Sequence, residues 1–262
     1  MRILITNDDG IFARGIIELA KCLKKEHDVT VVAPDRERSA SSHSLTMDLP
    51  LTVKKIDIAE YNGIEAYKVT GTPVDCVKIG LSNIMKEPVD LVLSGINHGG
   101  NIGTDIAYSG TVNAALDACM VGIPAIALSQ IISKHSEDLE ELFCNTSEIF
   151  AELLKQIDLS ELKEYIYNIN FPETEDIKGL KVCAQGISKY DETFEKRIDP
   201  MGRGYYWISG ELTKSVYNEE NLTDAKYIHD GYITVSPLKW NITENVQLKN
   251  TKCKFEKMKL HF

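Results

Sequence analysis

Apolar and polar positions alternate along the first half of the chain with two distinct periods. Arg2-Ile3-Leu4-Ile5-Thr6 is a short apolar run of the kind that forms a buried strand. Ile16, Ile17, Leu19, Ala20 and Leu23 then recur at helical spacing, with Lys21, Lys24, Lys25 and Glu26 largely on the other face, so a helix is expected over 14–25. Val29 to Pro34 reads as a second buried strand, stopped by its proline. Residues 51–58 and 64–69 flank Asn62-Gly63, a pair that favours a hairpin. Thr72 and Pro73 suit the cap and first position of another helix. A strand Val89–Ser94, a Gly/Asn-rich loop, a helix from about Gly110 and a strand Ile123–Leu128 extend the alternation. Strand-helix-strand order with short connections implies parallel pairing and right-handed crossovers. The expected fold is α/β, a Rossmann-like, doubly wound, mostly parallel sheet.

The second half changes character. Residues 137–157 carry Leu139, Leu142, Phe143, Ile149, Phe150, Leu153, Leu154 and Ile157 at helical spacing. Ile166–Phe171 and Leu180–Ala184 read as further strands. Beyond 184 the pattern favours strands and loops, including Gly204 to Ile208 and Gly231 to Val235, and no long helix is expected there. Two readings of that aromatic, β-prone stretch stand side by side: an arm that packs against another subunit, or an antiparallel edge of the same domain. The expected organisation is a catalytic core over 1–184 and a β-rich C-terminal oligomerisation region over 185–262.

Composition narrows the class. The 262 residues are 43% hydrophobic and 26% charged, ordinary values for a globular protein with a large core. The longest apolar stretch, Val121 to Ile132, is broken by Pro124, Ser129 and Gln130, so no membrane span is expected. The first residues lack a basic leader and cleavage site, and six cysteines lie scattered without a Cys-x-x-Cys pair, which together point to the cytoplasm. A net charge of −10 argues against binding a nucleic-acid polymer. The five lysines between Lys249 and Lys259 read as a solvated arm.

The chemistry is written at the strand ends. Asn7-Asp8-Asp9-Gly10 follows the first strand, Asp35 to Ser44 the second, and Gly95 to Asp105 the strand Val89–Ser94. A doubly wound sheet gathers such ends on one edge, near its switch point. Asp8 and Asp9 repel each other, and a divalent cation that joins them relieves the repulsion; as hard oxygen donors they suit Mg²⁺ or Mn²⁺. The competing reading makes one of them the cap of the helix at 14–25. Ser109-Gly110-Thr111 offers hydroxyls and free N–H groups at a helix start, a seat for phosphate. Metal beside an anion site points to phosphoryl chemistry. Gly-x-Ser-x-Gly, His-Glu-x-x-His and the Walker glycine loop are absent, which disfavours serine hydrolases, zinc proteases and P-loop NTPases.

These residues resemble a known family. Ile5-Thr6-Asn7-Asp8-Asp9-Gly10, the segment Val32 to His43, Gly71-Thr72-Pro73-Val74-Asp75, Ser94 to Asp105, Tyr108-Ser109-Gly110-Thr111, Asp199 to Trp207 and Asp230 to Leu238 are similar, in order, to SurE, the survival protein E family of metal-dependent 5′/3′-nucleotidases. The resemblance implies one divalent ion per subunit, Mg²⁺ or Mn²⁺, on Asp8, Asp9, Ser39 and Asn97. It implies hydrolysis of nucleoside monophosphates and assembly as a homodimer or homotetramer. Asp8, Asp9 and Asn97 are the expected catalytic residues, and Asn101, Ser109, Gly110 and Thr111 the expected phosphate binders. His43, His98, Thr72 and Asp75 are candidates for the substrate pocket, the histidines as general acids. Each also has an ordinary reading: Ser39 and Asn97 as turn residues, Thr72 and Asp75 as caps, the histidines as loop polar groups. Attack by an activated water and attack by Asp8 to give an aspartyl-phosphate both remain open. The alternatives are a general acid phosphatase or exopolyphosphatase on the same site, and a nucleotide-binding regulatory module that does not hydrolyse.

Overall fold

The computed structural model describes residues 1–132, 138–174, 176–190, 193–209, 212–216 and 223–256. Strand β1 (Arg2–Thr6) leads into helix α1 (Arg14–Leu23) and β2 (Asp28–Pro34). β3 (Val53–Ile56) and β4 (Glu65–Val69) precede α2 (Pro73–Ile79), β5 (Leu91–His98), α3 (Gly110–Met120) and β6 (Ala125–Gln130). α4 (Leu139–Leu154), β7 (Ile166–Phe171) and β8 (Leu180–Val182) follow. Four strands then form two ribbons: β9 (Ile187–Tyr190), β10 (Thr193–Ile198), β11 (Gly204–Ser209) and β12 (Leu212–Val216). α5 (Asp224–His229), β13 (Ile233–Leu238) and α6 (Asn245–Phe255) complete the elements.

Nine strands make one sheet in the order β3-β4-β2-β1-β5-β6-β7-β13-β8. From β1 the chain winds outward through β2 and β4 on one side; from β5 it winds through β6 and β7 on the other, every one of these pairings parallel. β3 and β13 run antiparallel to β4 and β7. The fold is therefore α/β and doubly wound, and its switch point lies between β1 and β5. Alternate residues explain the layering. Ile3, Ile5, Leu91, Leu93, Ile126 and Leu128 pack with α1 and α4 on one face. Leu4, Val92, Ala125 and Ala127 pack with α2 and α3 on the other. Strands buried on both faces need this continuous apolar character, and each fully buried Ile or Leu contributes about 1.5–3 kcal/mol.

Local chemistry sets the ends of the elements. Thr72 and Asp75 form a capping box at the start of α2: Asp75 N–H donates to Thr72 Oγ1 over 3.2 Å, and Thr72 N–H donates to Asp75 Oδ2 over 2.8 Å. α4 is capped by Asp138; its expected start at 137 falls outside the described residues. Asn62-Gly63 is not the tip of a two-residue hairpin. It forms a turn closed by Ile64 N–H on Tyr61 O at 2.8 Å, inside a longer connection that includes a 3-10 turn at Ala59–Tyr61. β5 runs on to His98 instead of ending at Ser94, because Asn97 and His98 pair with Ser129 and Gln130 of β6 after a register shift. The C-terminal stretch does hold an eleven-residue helix, α6, with no buried residue. β13 lies in the large sheet between β7 and β8, so part of segment 185–262 belongs to the core sheet, while the ribbons stand outside it.

Candidate active site at the switch point

β1 and β5 are neighbours, so the residues that follow them meet although some ninety positions apart in sequence (Asp9 and His98: |i−j| = 89). The turn after β1 is held by Asn7, whose Nδ2 donates to Gly10 O at 3.0 Å and whose Oδ1 accepts from Gly10 N–H at 3.1 Å. Gly10 has φ +97°, and a Cβ there would come within 3.0 Å of the Arg36 backbone. The N-cap position of α1 is Ala13, which offers no side-chain cap, so neither Asp8 nor Asp9 serves it. Asp8 reaches a different helix: Thr111 Oγ1 at the start of α3 donates to Asp8 Oδ1. Asp9 Oδ2 accepts from His98 N–H at 3.0 Å, tying the first strand end to the fifth. Arg38 N–H donates to Asp8 O at 2.7 Å and draws in the loop after β2.

Asp8, Asp9, Ser39, Asn97, Asn101 and Ser109 line a single cleft of about 350 Å³. His98 lines it too, with Glu37, Ala40, Asp105 and Tyr108, which sequence reasoning had not singled out. Asn97 owes its place to the irregularity in β5, a device that re-aims side chains near sites. Its Nδ2 donates to Gly99 O at 2.8 Å, which commits the nitrogen and leaves Oδ1 as the atom that could face a cation. Ser39 Oγ donates to Glu37. Ser109 caps α3 by accepting from Val112 N–H at 3.0 Å. Asn101 is gripped from below by a buried network: its N–H donates to Asn170 Oδ1 and its Nδ2 to Ser129 Oγ, both at 2.8 Å, while its carbonyl accepts from Asn168 Nδ2 at 2.8 Å. Asn168 and Asn170 were also missed; two asparagines alternating inside an apolar strand were the available signal.

Other candidates lie elsewhere. Thr111 is fully buried and its hydroxyl is spent on Asp8, so it touches the site through that carboxylate. Gly110 packs against Asp8, where a Cβ would come 3.0 Å from Oδ2. His43 pairs with Asp117 of α3 at 3.3 Å beside Lys78, and Thr72 and Asp75 cap α2 and hold residues 44–46. These three are not among the residues lining the cleft.

The electrostatics suit a cation. Burial, and secondarily the charge of Asp9, push Asp8 up to about 6; burial and then Glu37 push Asp9 up to about 6. No Lys or Arg is among the described residues lining the cleft. Burial pulls His98 down, so it faces the site as a neutral imidazole. Among the described residues no three Asp, Glu, His or Cys side chains form a metal cluster. A cation here would take two carboxylates and the neutral oxygens of Ser39 and Asn97, a hard donor set that fits Mg²⁺ or Mn²⁺.

Known proteins resemble this chain in sequence and in fold. Residues 3–192 match the family model for survival protein SurE. A protein named 5′-nucleotidase SurE from Thermoanaerobacter sp. (strain X514) is 42% identical over 245 residues, 93% of this chain and 94% of the relative. The 5′-nucleotidase SurE of Thermosipho melanesiensis is 39% identical over 259 residues, 98% of each chain. The crystal structure of the SurE protein from Aquifex aeolicus superposes with a TM-score of 0.79 at 38% identity, covering 97% of this chain and 99% of that one. With the family model matched over residues 3–192 and about 40% identity to named members over nearly the whole length, the chain belongs to the SurE family.

Proposed function

We propose that this protein is a 5′-nucleotidase, a metal-dependent phosphomonoesterase that converts nucleoside monophosphates to nucleoside and phosphate. The observation that carries the reading is the meeting of Asp8 and Asp9 with Asn97 and the N-terminus of α3 in one cleft. The names of the relatives support the same activity. Asp8, Asp9, Ser39 and Asn97 hold one Mg²⁺ or Mn²⁺, which when bound supplies Lewis acidity to the phosphoryl oxygens. Thr111 fixes the orientation of Asp8, and the His98 backbone fixes Asp9. Ser109 and the helix N-terminus seat the phosphate through partial positive charge, and the Asn170 network keeps Asn101 beside it. Neutral His98 lines the same cleft and is the candidate for hydrogen bonding the leaving oxygen.

The test is phosphate release by the pure protein from a panel of nucleoside monophosphates, with Mg²⁺, with Mn²⁺ and with chelator. Turnover with metal and none with chelator is expected; equal turnover in chelator overturns the metal assignment, and no turnover on any nucleotide overturns the activity. Two further parts belong to the same reading. The protein works in the cytoplasm, supported by six free cysteines and by the lack, among the described residues, of any helix long and apolar enough to cross a membrane. It assembles with copies of itself through the β10–β11 ribbon, supported by exposed Phe194, Ile198, Tyr206, Trp207 and Ile208.

A further inference from the structure

A second groove of about 350 Å³ adjoins the catalytic cleft. It shares Asp9, Glu37 and His98 with the cleft and adds Phe12, Asp35 and Arg36. Phe12 stands in the turn between β1 and α1, two residues past Gly10, and is 54% exposed. Its neighbours Ile11 and Ile16 are fully buried and do the packing there, so the core makes little use of the Phe12 ring. A single exposed aromatic is ordinary on a protein surface. This one lines a groove that opens directly onto the carboxylates of the phosphate site. Lys68 Nζ lies 5.9 Å from its ring centroid, so the ring is already within reach of a charged group from outside the core. The other ring in the groove, His98, is fixed by stacking on Phe143 with centroids 4.7 Å apart and planes inclined by 25°.

We propose that this groove holds the nucleoside half of the substrate, with the nucleobase stacked on Phe12 and the ribose beside Asp35 and Glu37. The inference rests on the 5′-nucleotidase reading and assigns its leaving-group site. Every nucleobase presents a π face, so stacking on Phe12 gives affinity without selecting one base. Asp35 immediately follows β2, and an acid in that region of a doubly wound fold is well placed to accept hydrogen bonds from ribose hydroxyls. A phosphate in the cleft then places its ester oxygen toward the groove through the shared residues Asp9 and His98.

Steady-state kinetics on the full chain with Mg²⁺ test this, using adenosine 5′-monophosphate and ribose 5-phosphate, which differ only in the base. Phe12→Ala is expected to raise KM for the nucleotide roughly tenfold, the scale of one stacked base. Its kcat on the nucleotide and both constants for ribose 5-phosphate should stay near wild type, and Phe12→Tyr should keep nucleotide KM near wild type. An unchanged nucleotide KM in Phe12→Ala, or an equal loss on both substrates, overturns the assignment. Inhibition of wild-type ribose 5-phosphate hydrolysis provides a check that needs no variant: adenosine should inhibit well below the concentration at which ribose does, and equal inhibition overturns the proposal. Wild type that cleaves ribose 5-phosphate but no nucleotide would sink the nucleotidase reading and this inference with it. Nucleotide turnover with indifference to Phe12 would sink the inference alone.

Discussion

Asp8 and Asp9 are costly residues to keep where they are. Each is ionised only against burial, and both titrate near 6 in the folded chain against an ordinary 3.8. Between those values the folded state holds protons that the unfolded state has released. Stability without metal therefore falls as pH rises from about 4 to about 6 and carries a constant penalty above that. A cation removes the penalty only where the carboxyls are ionised. Mg²⁺ should raise the melting temperature of the chelator-treated protein more at about pH 7.5 than at about pH 5; equal increments at both would contradict a shared ion. Asp9→Asn should lower phosphate release by at least about a hundredfold, the scale of losing a preorganised electrostatic group, while light scattering shows the assembly intact. Near-normal turnover in that variant would remove Asp9 from the site.

At the scale of elements, most of the sheet was legible because buried parallel strands are short apolar runs and surface helices have a 3.6-residue stripe. β1, α1, β2, β6, α4 and β7 all follow that rule, while α3 is buried on nearly every side and is legible only from its Ser109-Gly110-Thr111 start. Legibility failed where tertiary pairing overrode composition. Asn97 and His98 read as loop, yet β6 offers them a partner strand past the irregularity at Gly95, and they extend β5 to the cleft. The site was legible as a set of residue types but not in its division of labour: nothing in the order of residues says that Thr111 serves Asp8 while His43 serves Asp117. Gly95 shows how tightly β5 is built. Its φ is +139°, and a Cβ would lie 2.3 Å from Leu128 O. Gly95→Ala should destabilise the protein by at least about 2 kcal/mol in urea unfolding and lower activity through Asn97. A change within about 0.5 kcal/mol would mean the strand has room that the geometry denies.

On the scale of the whole molecule, the two ribbons differ from everything around them. Trp207 is 58% exposed and its partners along the β10–β11 ribbon are open as well, so the apolar side chains there have no use inside one subunit. Trp207→Asp should reduce the molar mass in light scattering to that of a smaller assembly while the melting of the core moves little, since no core residue loses a contact. An unchanged mass would shift the interface away from this ribbon. The return of β13 to the sheet has a further consequence, for the order in which the protein is made. β7 presents an open edge from the moment it pairs with β6 until residues 234–238 arrive to cover it. The ribosome delivers the aromatic ribbons before that seal, so the nascent chain passes through a stage with a bare sheet edge and unpartnered aromatic strands together. The interval between synthesis of β7 and synthesis of β13 is the one in which this protein is most exposed to aggregation, and the one in which a chaperone that holds β strands would help it most.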